Sequence, residues 1–214
     1  MSEVTRVYLV RHGETEWNQN RPGYCGWTDI ALNAKGMAQA QALGRRFRDE
    51  KITAIICSDL ARARVTGETI HAACPDAALG IDPRFRELNY GAWEGLTPEQ
   101  LEVEDRDRFR SWKADPVHTP TPEGETLSQV MDRARPALKE WMIRRRGESI
   151  VIVSHKTTVR GLLCAALGIP LADYTRILQQ NAAINELKFR GDSAHIALVN
   201  DTCHLPGDLC SPAI

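Results

Sequence analysis

The hydrophobic residues of this chain follow two spacings that alternate along its length. Short apolar or β-branched runs predict buried strands at 7–10, 53–57, 79–81 and 149–154. Between these runs, apolar residues recur every three or four positions, which predicts amphipathic helices over 35–50, 58–73, 125–145 and 157–167. Two further strands are expected at 182–189 and 194–199, on either side of a turn at Gly191 and Asp192.

This alternation of strands and helices predicts an α/β fold: a three-layer α/β/α sandwich with a mostly parallel sheet. The run at 149–154 is continuously apolar, as expected of a central parallel strand. Pro136 lies inside the longest predicted helix and is expected to kink it. Residues 83–124 are rich in proline and glycine, with room for one or two helices. We interpret them as a small lid insertion within a single domain over 1–214, because they are too short and too polar to hold their own core.

Composition argues against several classes of function. The chain has 214 residues, with 27 Lys and Arg against 28 Asp and Glu, which argues against a general nucleic-acid or membrane-surface binder. No apolar run approaches the roughly 18 residues that span a bilayer, and residues 1–6 lack the features of a secretory signal. The six cysteines form no C-x-x-C pair, which favours reduced thiols in a cytoplasmic protein; pairing of Cys203 with Cys210 stays open.

Reactive residues follow three of the predicted strands. The first strand is followed by Arg11 and His12, the second by a segment that includes Arg62, and the central strand by His155. The carboxyl ends of neighbouring parallel strands share one edge of a sheet, where ligands gather. If these strands are neighbours, two histidines and two arginines are expected to meet there, although the sequence does not reveal the strand order.

Such a cluster would bind an anion. Guanidinium groups match pairs of phosphate oxygens, and the helix after His155 is expected to offer free backbone N–H groups. Nearby positive charge disfavours protonated imidazole, so at least one histidine is expected to stay neutral near pH 7 and act as a nucleophile. Gly13 is expected to let the backbone turn sharply and approach the substrate.

The segment 85–94 places carboxyl groups among aromatic residues. A carboxyl group in apolar surroundings suits a general acid near neutral pH. Glu87 is the preferred candidate and Glu94 the second one.

Several short segments together resemble the histidine phosphatase superfamily, the group that contains the cofactor-dependent phosphoglycerate mutases. The first is the run R-H-G-E-T-E-W-N that begins at Arg11. The others follow in the family's order at 26–36, 58–63, 87, 91–95, 122–126 and 153–155. The ordered set is far more specific than a single R-H-G, and it implies a phosphoglycerate mutase-like fold for the chain.

The resemblance implies roles for the matching positions. His12 would be the nucleophile that forms a phosphohistidine, and Glu87 would protonate the leaving oxygen and then activate water. The phosphoryl oxygens would be bound by Arg11, Arg62, Asn18 and the second catalytic histidine, His155. Cys25 and Gly26 belong to a loop expected to contact the substrate. No metal or other cofactor is expected, because cationic side chains replace it.

Three functions stay open. The preferred one is a metal-independent phosphatase for small phosphomonoesters such as phosphoserine or sugar and carboxylate phosphates, because the stretch from Glu87 to Gly124 is shorter than in the family's mutases. The alternative is a cofactor-dependent phosphoglycerate mutase, whose loop Cys25-Gly26-Trp27 resembles. The third is a non-catalytic phosphate-binding module. The expected partner is a small phosphoester, with neither nucleic acid nor membrane, and the chain is a candidate homodimer.

Overall fold

A sheet of six strands runs through the molecule and carries helices on both faces. The computed structural model describes residues 3–19, 23–191 and 193–210. Within these residues the strands are β1 (Thr5–Arg11), β2 (Ile52–Cys57), β3 (Ala78–Ile81), β4 (Ser149–Ser154), β5 (Ile184–Arg190) and β6 (Ser193–Asp201). The α-helices are α1 (Glu16–Gln19), α2 (Ala34–Phe47), α3 (Ala61–Ala73), α4 (Pro98–Glu104), α5 (Arg106–Ala114), α6 (Leu127–Arg144) and α7 (Lys156–Leu167).

The strand order places the three reactive strands side by side. It is β3-β2-β4-β1-β5-β6, so β4 lies between β1 and β2. These three strands and β3 are parallel, whereas β5 runs antiparallel to β1 and β6 antiparallel to β5. The interior of β4, from Ile150 to Val153, is completely buried, which explains its continuously apolar sequence. The predicted mostly parallel sheet is confirmed.

Alternate side chains of β1 enter two different cores. Val7 and Leu9 join an apolar cluster with α6 and α7, whereas Tyr8 and Val10 join a second cluster with α2 and α3. This alternation is the period of two that a strand imposes. The two clusters, one on each face of the sheet, make the predicted three layers.

The segment 83–124 contains α4 and α5 and packs against the first of these clusters. Its buried aromatic side chains belong to the same cluster as Val7 and Leu9: Phe85, Tyr90, Trp93, Phe109 and Trp112. The predicted helices in this segment are therefore confirmed. The continuous core supports the prediction of one domain with a lid insertion, which stays a prediction.

The element bounds follow the sequence pattern closely, with a few differences. Helix α1, of four residues, was not predicted because one turn is too short to show a period. Pro136 lies within α6, which continues to Arg144; the expected kink stays a prediction. The predicted turn between β5 and β6 includes Gly191, whose φ is +59°, and Asp192, which lies outside the described residues. The prediction that residues 1–6 lack a secretory signal includes Met1 and Ser2, which also lie outside the described residues.

Two sequence expectations about membranes and thiols can be compared with the structure. Across residues 3–19, 23–191 and 193–210, no helix is both long enough and apolar enough to cross a bilayer. All six cysteines are free thiols, Cys203 and Cys210 included.

Candidate active site

β1 and β4 bring two histidines to the same edge of the sheet. His12 follows β1 and His155 follows β4, and the strands pair in parallel with Arg11 opposite Ser154. The backbone N–H of His12 donates to the carbonyl oxygen of Ser154 at 3.0 Å, which extends the pairing by one residue. The two imidazole rings consequently lie with their centroids 5.1 Å apart. The strand ends meet as the parallel pattern predicts.

The imidazole of His12 is held in one tautomer. Its Nδ1 lies 2.6 Å from the carbonyl oxygen of Gly13. A carbonyl oxygen only accepts hydrogen bonds, so Nδ1 carries the hydrogen, and Nε2 of the neutral ring keeps its lone pair. The backbone is fixed as well, because the N–H of Ala182 and Nδ2 of Asn181 both donate to the carbonyl oxygen of His12 at 3.2 Å.

Both imidazoles are uncharged at neutral pH. Burial lowers the pKa of His12 well below 6.5, and the charges of Arg62 and Arg11 lower it further. Burial and then Arg62 act in the same direction on the pKa of His155. The neighbouring arginines thus lower both pKa values, as predicted from the sequence, but burial is the larger cause for both rings.

Two buried guanidinium groups act on these histidines, and each is anchored to backbone carbonyls. A terminal nitrogen of Arg11 donates to the carbonyl oxygen of Gln179 at 2.7 Å. Arg62, in the first turn of α3, donates to the carbonyl oxygens of Gly26 at 2.7 Å and Thr28 at 3.0 Å. Burial lowers the pKa of Arg11 to about 10, which leaves it charged at pH 7. Each terminal nitrogen carries two hydrogens, so both side chains keep donors beyond these anchors.

His155 completes this group from the protein interior. Its Nε2 lies 2.9 Å from the hydroxyl oxygen of Ser58, at the end of β2. Among the described residues, three buried nitrogens of the cluster have no hydrogen-bond partner: Nε of Arg11, Nε of Arg62 and Nδ1 of His155. Unpaired buried polar atoms are rare and often mark functional sites. The cluster is therefore rich in donors and poor in acceptors, as an anion site should be.

The carboxylate of Glu87 caps helix α7. Its Oε1 accepts the N–H groups of Leu88 at 2.9 Å and Thr158 at 3.3 Å, and its Oε2 accepts the N–H of Thr157 at 3.1 Å. From the sequence, the first N–H groups of this helix are expected to bind phosphate. That expectation is wrong for Thr157 and Thr158, because a buried carboxylate from another loop already satisfies them. The helix instead fixes the candidate acid.

Glu94, the second candidate acid, holds a loop in place. Its carboxylate accepts the backbone N–H groups of Trp27 and Thr28, each at 2.6 Å, and the hydroxyl of Thr28. The carbonyl groups of Gly26 and Thr28 in turn hold the guanidinium of Arg62. Glu94 thus fixes the position of Arg62 through this loop.

Of the other predicted contact residues, two line the cavity and one holds Arg62 in place. Asn18 and Cys25 line a cavity at the sheet edge, and burial raises the pKa of the Cys25 thiol. Oδ1 of Asn18 accepts the N–H and the hydroxyl of Thr15 at 3.1 Å. Gly26 supports Arg62, and a Cβ there would lie 2.2 Å from Oε1 of Glu94.

The cavity has a volume of about 740 Å³. Five of the predicted site residues line it: Arg11, His12, Asn18, Cys25 and Glu87. The other members of the catalytic prediction, Arg62 and His155, are 1% and 0% exposed. They contact the cluster from inside the protein, so the structure brings all of these residues together in two layers.

The cavity wall also contains residues that were not predicted, four polar or charged ones among them. Lys156 and Arg160 lie on α7, and Gln179 and Asn181 lie in the segment before β5. The α7 residues could have been found, because positions i and i+4 at the start of a helix that follows a reactive strand share one face. Gln179 and Asn181 reach the site because β5 pairs antiparallel with β1, which nothing in their sequence indicates.

Gly13 serves a different purpose from the one predicted. A Cβ at this position would lie 2.5 Å from the carbonyl oxygen of Gly36, near the start of α2. Glycine therefore allows close contact between the loop after β1 and this helix. Its φ is not in the left-handed range, so no unusual turn requires it.

This geometry can support nucleophilic chemistry. A neutral imidazole presents an Nε2 lone pair beside two permanent cations, and a carboxyl group lines the same cavity. Such an arrangement suits attack on an anionic, electrophilic centre whose charge the guanidinium groups stabilise. Among the described residues, no cluster of three or more histidine, cysteine or acidic side chains has the arrangement of a metal site.

Comparison with known proteins places this arrangement in a family. The sequence profile described as histidine phosphatase superfamily (branch 1) matches residues 7–202. A relative from Erwinia tasmaniensis named probable phosphoglycerate mutase GpmB is 37% identical over 184 residues, which cover 86% of this chain and 85% of that protein.

Two solved structures are similar over nearly their whole length. Bacillus stearothermophilus YhfR superposes with a TM-score of 0.87 at 30% identity, covering 94% of this chain and 98% of that one. A phosphoserine phosphatase from Entamoeba histolytica, in complex with 3-phosphoglyceric acid, has a TM-score of 0.84 at 26% identity, covering 94% and 100%. From the sequence match, the chain belongs to the histidine phosphatase superfamily, branch 1.

Proposed function

We propose that this protein hydrolyses small phosphomonoesters through a phosphohistidine at His12. The observation that carries the proposal is the state of its ring: buried, neutral and fixed by Gly13 in the tautomer that leaves Nε2 unprotonated. A phosphorus atom carries partial positive charge but is surrounded by negative oxygens. An uncharged nucleophile between cations meets less repulsion from those oxygens than an anionic one would.

In the first step, Nε2 of His12 attacks phosphorus and forms the P–N bond while the ester P–O bond breaks. Glu87 in its acid form gives its proton to the departing alcohol oxygen. Its Oε2 suits this role, because it accepts one N–H whereas Oε1 accepts two. A carboxyl oxygen with one occupied lone pair can still carry a proton.

In the second step, the Glu87 carboxylate takes a proton from water, and the water oxygen attacks phosphorus. The P–N bond breaks, its electron pair returns to Nε2, and inorganic phosphate leaves. Arg11 and Arg62 would hold the phosphoryl oxygens throughout, with His155 and Asn18 completing the binding. Their fixed backbone anchors support this role, since preorganised donors need no rearrangement as charge develops.

Replacement of His12 by Ala tests the proposal. We expect phosphate release from a panel of phosphomonoesters to fall by roughly 10⁴-fold or more, in line with the loss of a catalytic nucleophile. Wild-type protein quenched during turnover with ³²P-labelled substrate should carry label that is stable in alkali and lost in acid, as a phosphohistidine is. His195→Ala, an exposed histidine on β6, is the matched control and should keep full activity. Undiminished turnover by the His12→Ala protein would remove the nucleophile from the proposal.

The second candidate is a phosphoglycerate mutase, favoured by the name of the Erwinia tasmaniensis relative. The same labelled enzyme distinguishes the two. A phosphatase transfers the label from His12 to water, whereas a mutase returns it to a phosphoglycerate and releases little free phosphate. Tight binding of phosphoesters without turnover of any panel member would instead select a non-catalytic module.

A further inference from the structure

The segment 122–126, which the sequence singled out, has no role in the two steps above. Its residue Glu125 forms an ion pair with Arg133 of α6, in which a terminal nitrogen of Arg133 lies 2.9 Å from Oε2 of Glu125. Both side chains are largely buried. Neither residue belongs to the cavity wall, so any function of the pair acts through the groups that it contacts.

The guanidinium of Arg133 uses all five of its N–H groups. Nε and one terminal nitrogen donate to the two carboxylate oxygens of Glu125, at 3.0 and 2.9 Å. The other three N–H groups donate to backbone carbonyl oxygens, at 2.8 Å to Arg84, 2.8 Å to Arg86 and 2.7 Å to Glu87. Five donors in a planar fork are the full capacity of an arginine side chain. Arg133 therefore joins Glu125 to the chain segment that carries the candidate acid.

This segment depends on side chains for its shape. Residues 86–90 form neither helix nor strand, so no regular hydrogen-bond pattern satisfies their backbone groups. Buried backbone groups without a partner are costly. Arg133 supplies donors to the carbonyl groups of Arg86 and Glu87. Farther along, the carboxylate of Glu125 accepts the N–H of Asn89 at 3.0 Å, and the N–H of Glu125 donates to the carbonyl oxygen of Asn89 at 2.9 Å. The ion pair thus fixes the backbone on both sides of Leu88.

Glu87 is consequently held at both of its ends. Its carboxylate accepts the N–H groups of Thr157 and Thr158, as described above. Its carbonyl oxygen accepts from Arg133 and, at 2.8 Å, from Nε1 of Trp27. A glutamate side chain has several rotatable bonds, so the position of its carboxyl oxygens depends on where its backbone lies. A displacement of about 1 Å at a reacting group can cost about 10²-fold in rate.

We propose that Arg133, oriented by Glu125, is a positioning residue for the acid Glu87. This inference rests on the proposed phosphatase activity and deepens it, because it assigns the geometry of proton donation to a side chain outside the cavity wall. Arg133 transfers no proton and does not contact the phosphoryl group. Its loss should therefore slow the first step in proportion to how much that step needs the proton of Glu87.

Two substrates that differ in their leaving group test this role. The alcohol of glycerol 3-phosphate needs a proton in order to depart, whereas p-nitrophenolate leaves p-nitrophenyl phosphate without one. We expect Arg133→Gln to lower kcat/KM about 10²-fold for glycerol 3-phosphate and less than about threefold for p-nitrophenyl phosphate. Arg135→Gln removes the same charge from an exposed position of the same helix and should change neither value. Equal losses for both substrates, or no loss for either, would overturn the positioning role.

A double-mutant cycle shows whether Arg133 acts through Glu87. Glu87→Gln keeps the shape of the side chain and removes the acid. In that background, the loss that Arg133→Gln causes with glycerol 3-phosphate should shrink from about 10²-fold to less than about threefold, because no acid is left to misplace. Losses that multiply, as they do for independent sites, would overturn the proposal.

A conservative variant covers the case in which Arg133→Gln does not fold. Arg133→Lys keeps the positive charge beside Glu125 but has only three N–H donors on one nitrogen, which cannot replace five donors in a planar fork. We expect this variant to show the same selective loss with glycerol 3-phosphate. Full wild-type activity with lysine would mean that charge alone is needed, and it would overturn a role for the contacts with the backbone.

Amide hydrogen exchange, measured by NMR, separates this inference from the proposed function because it requires no turnover. The N–H groups of Thr157 and Thr158 donate to the carboxylate of Glu87. If Arg133 holds Glu87 in place, Arg133→Gln should speed exchange at both amides by about tenfold or more relative to the amides of β4, which report unfolding of the whole chain. Unchanged relative protection would overturn the positioning role even if the wild-type enzyme is a phosphatase. Faster exchange in a protein that releases no phosphate would support the positioning of Glu87 by Arg133 and defeat the proposed function.

Discussion

Two groups of polar side chains at the cavity are held in very different ways. We call the first the inner cluster: Arg11, His12, Arg62, Glu87 and His155. Each of its members is tied to a backbone group or to a buried hydroxyl. The second group is Lys156 and Arg160 of α7, both at the cavity wall, which we call the α7 pair; among the described residues it has one such tie, from Arg160 to the carbonyl oxygen of Ile177. The inner cluster is thus held in one geometry, the property that the proposed chemistry needs, whereas the side chains of the α7 pair are less constrained.

The largest expected effect comes from removing the carboxylic acid of Glu87, a member of the inner cluster. We expect Glu87→Gln to lower kcat by about 10²- to 10⁴-fold for substrates with an aliphatic alcohol, the usual value of general acid catalysis. The loss should be much smaller for p-nitrophenyl phosphate, whose leaving group departs without a proton. Equal losses for both substrates would argue that Glu87 matters only as the cap of α7, and thermal unfolding of the variant measures that structural cost directly.

A substitution at Glu94 tests whether the inner cluster depends on the loop that anchors Arg62. Glu94→Gln removes an acceptor from the backbone N–H groups of Trp27 or Thr28, so the loop that holds Arg62 should shift. Small displacements of binding groups can cost about 10²-fold in rate, and we expect a loss of about that size in kcat/KM with a weakened affinity for inorganic phosphate. Glu104→Gln, an exposed carboxylate on α4, is the control. Unaltered phosphate affinity in the Glu94 variant would contradict the positioning role.

The sequence predicts the inner cluster better than its connections. The apolar runs that end at Arg11 and Ser154 reveal where buried strands stop, and residues there must lie at one edge if the strands are parallel. The capping of α7 by Glu87 joins positions 70 residues apart, and the anchors of Arg62 join positions 36 residues apart or nearly so. Contacts of this kind depend on strand order and loop packing, which hydrophobic periodicity in the sequence does not reveal.

The sequence did not predict that the α7 pair lines the cavity. Lys156 and Arg160 are adjacent to a motif that the sequence makes obvious, yet a lysine and an arginine at the start of a helix are ordinary surface residues by pattern alone. Only the cavity that β1, α7 and the segment before β5 enclose gives these charges a common direction. The α7 pair is therefore harder to predict than the inner cluster, because lysine and arginine are common near helix starts and only the fold shows that these two line a cavity.

Burial of neutral histidines in the inner cluster should make stability depend on pH. Imidazoles in the unfolded chain titrate near 6.5, whereas burial keeps the pKa of His12 and His155 well below that value in the folded state. As the pH falls below 6.5, the unfolded chain gains protons that the folded protein excludes, so folding stability is lost on the acid side. The expected slope is up to about 1.4 kcal/mol per pH unit for each histidine.

Denaturant unfolding of the wild type and of His155→Asn between pH 7.5 and 5.5 measures this slope. The variant should lose stability less steeply with falling pH, whatever its stability at pH 7.5, because one buried titrating group is gone. Parallel curves for the two proteins would show that His155 takes up its proton equally in both states.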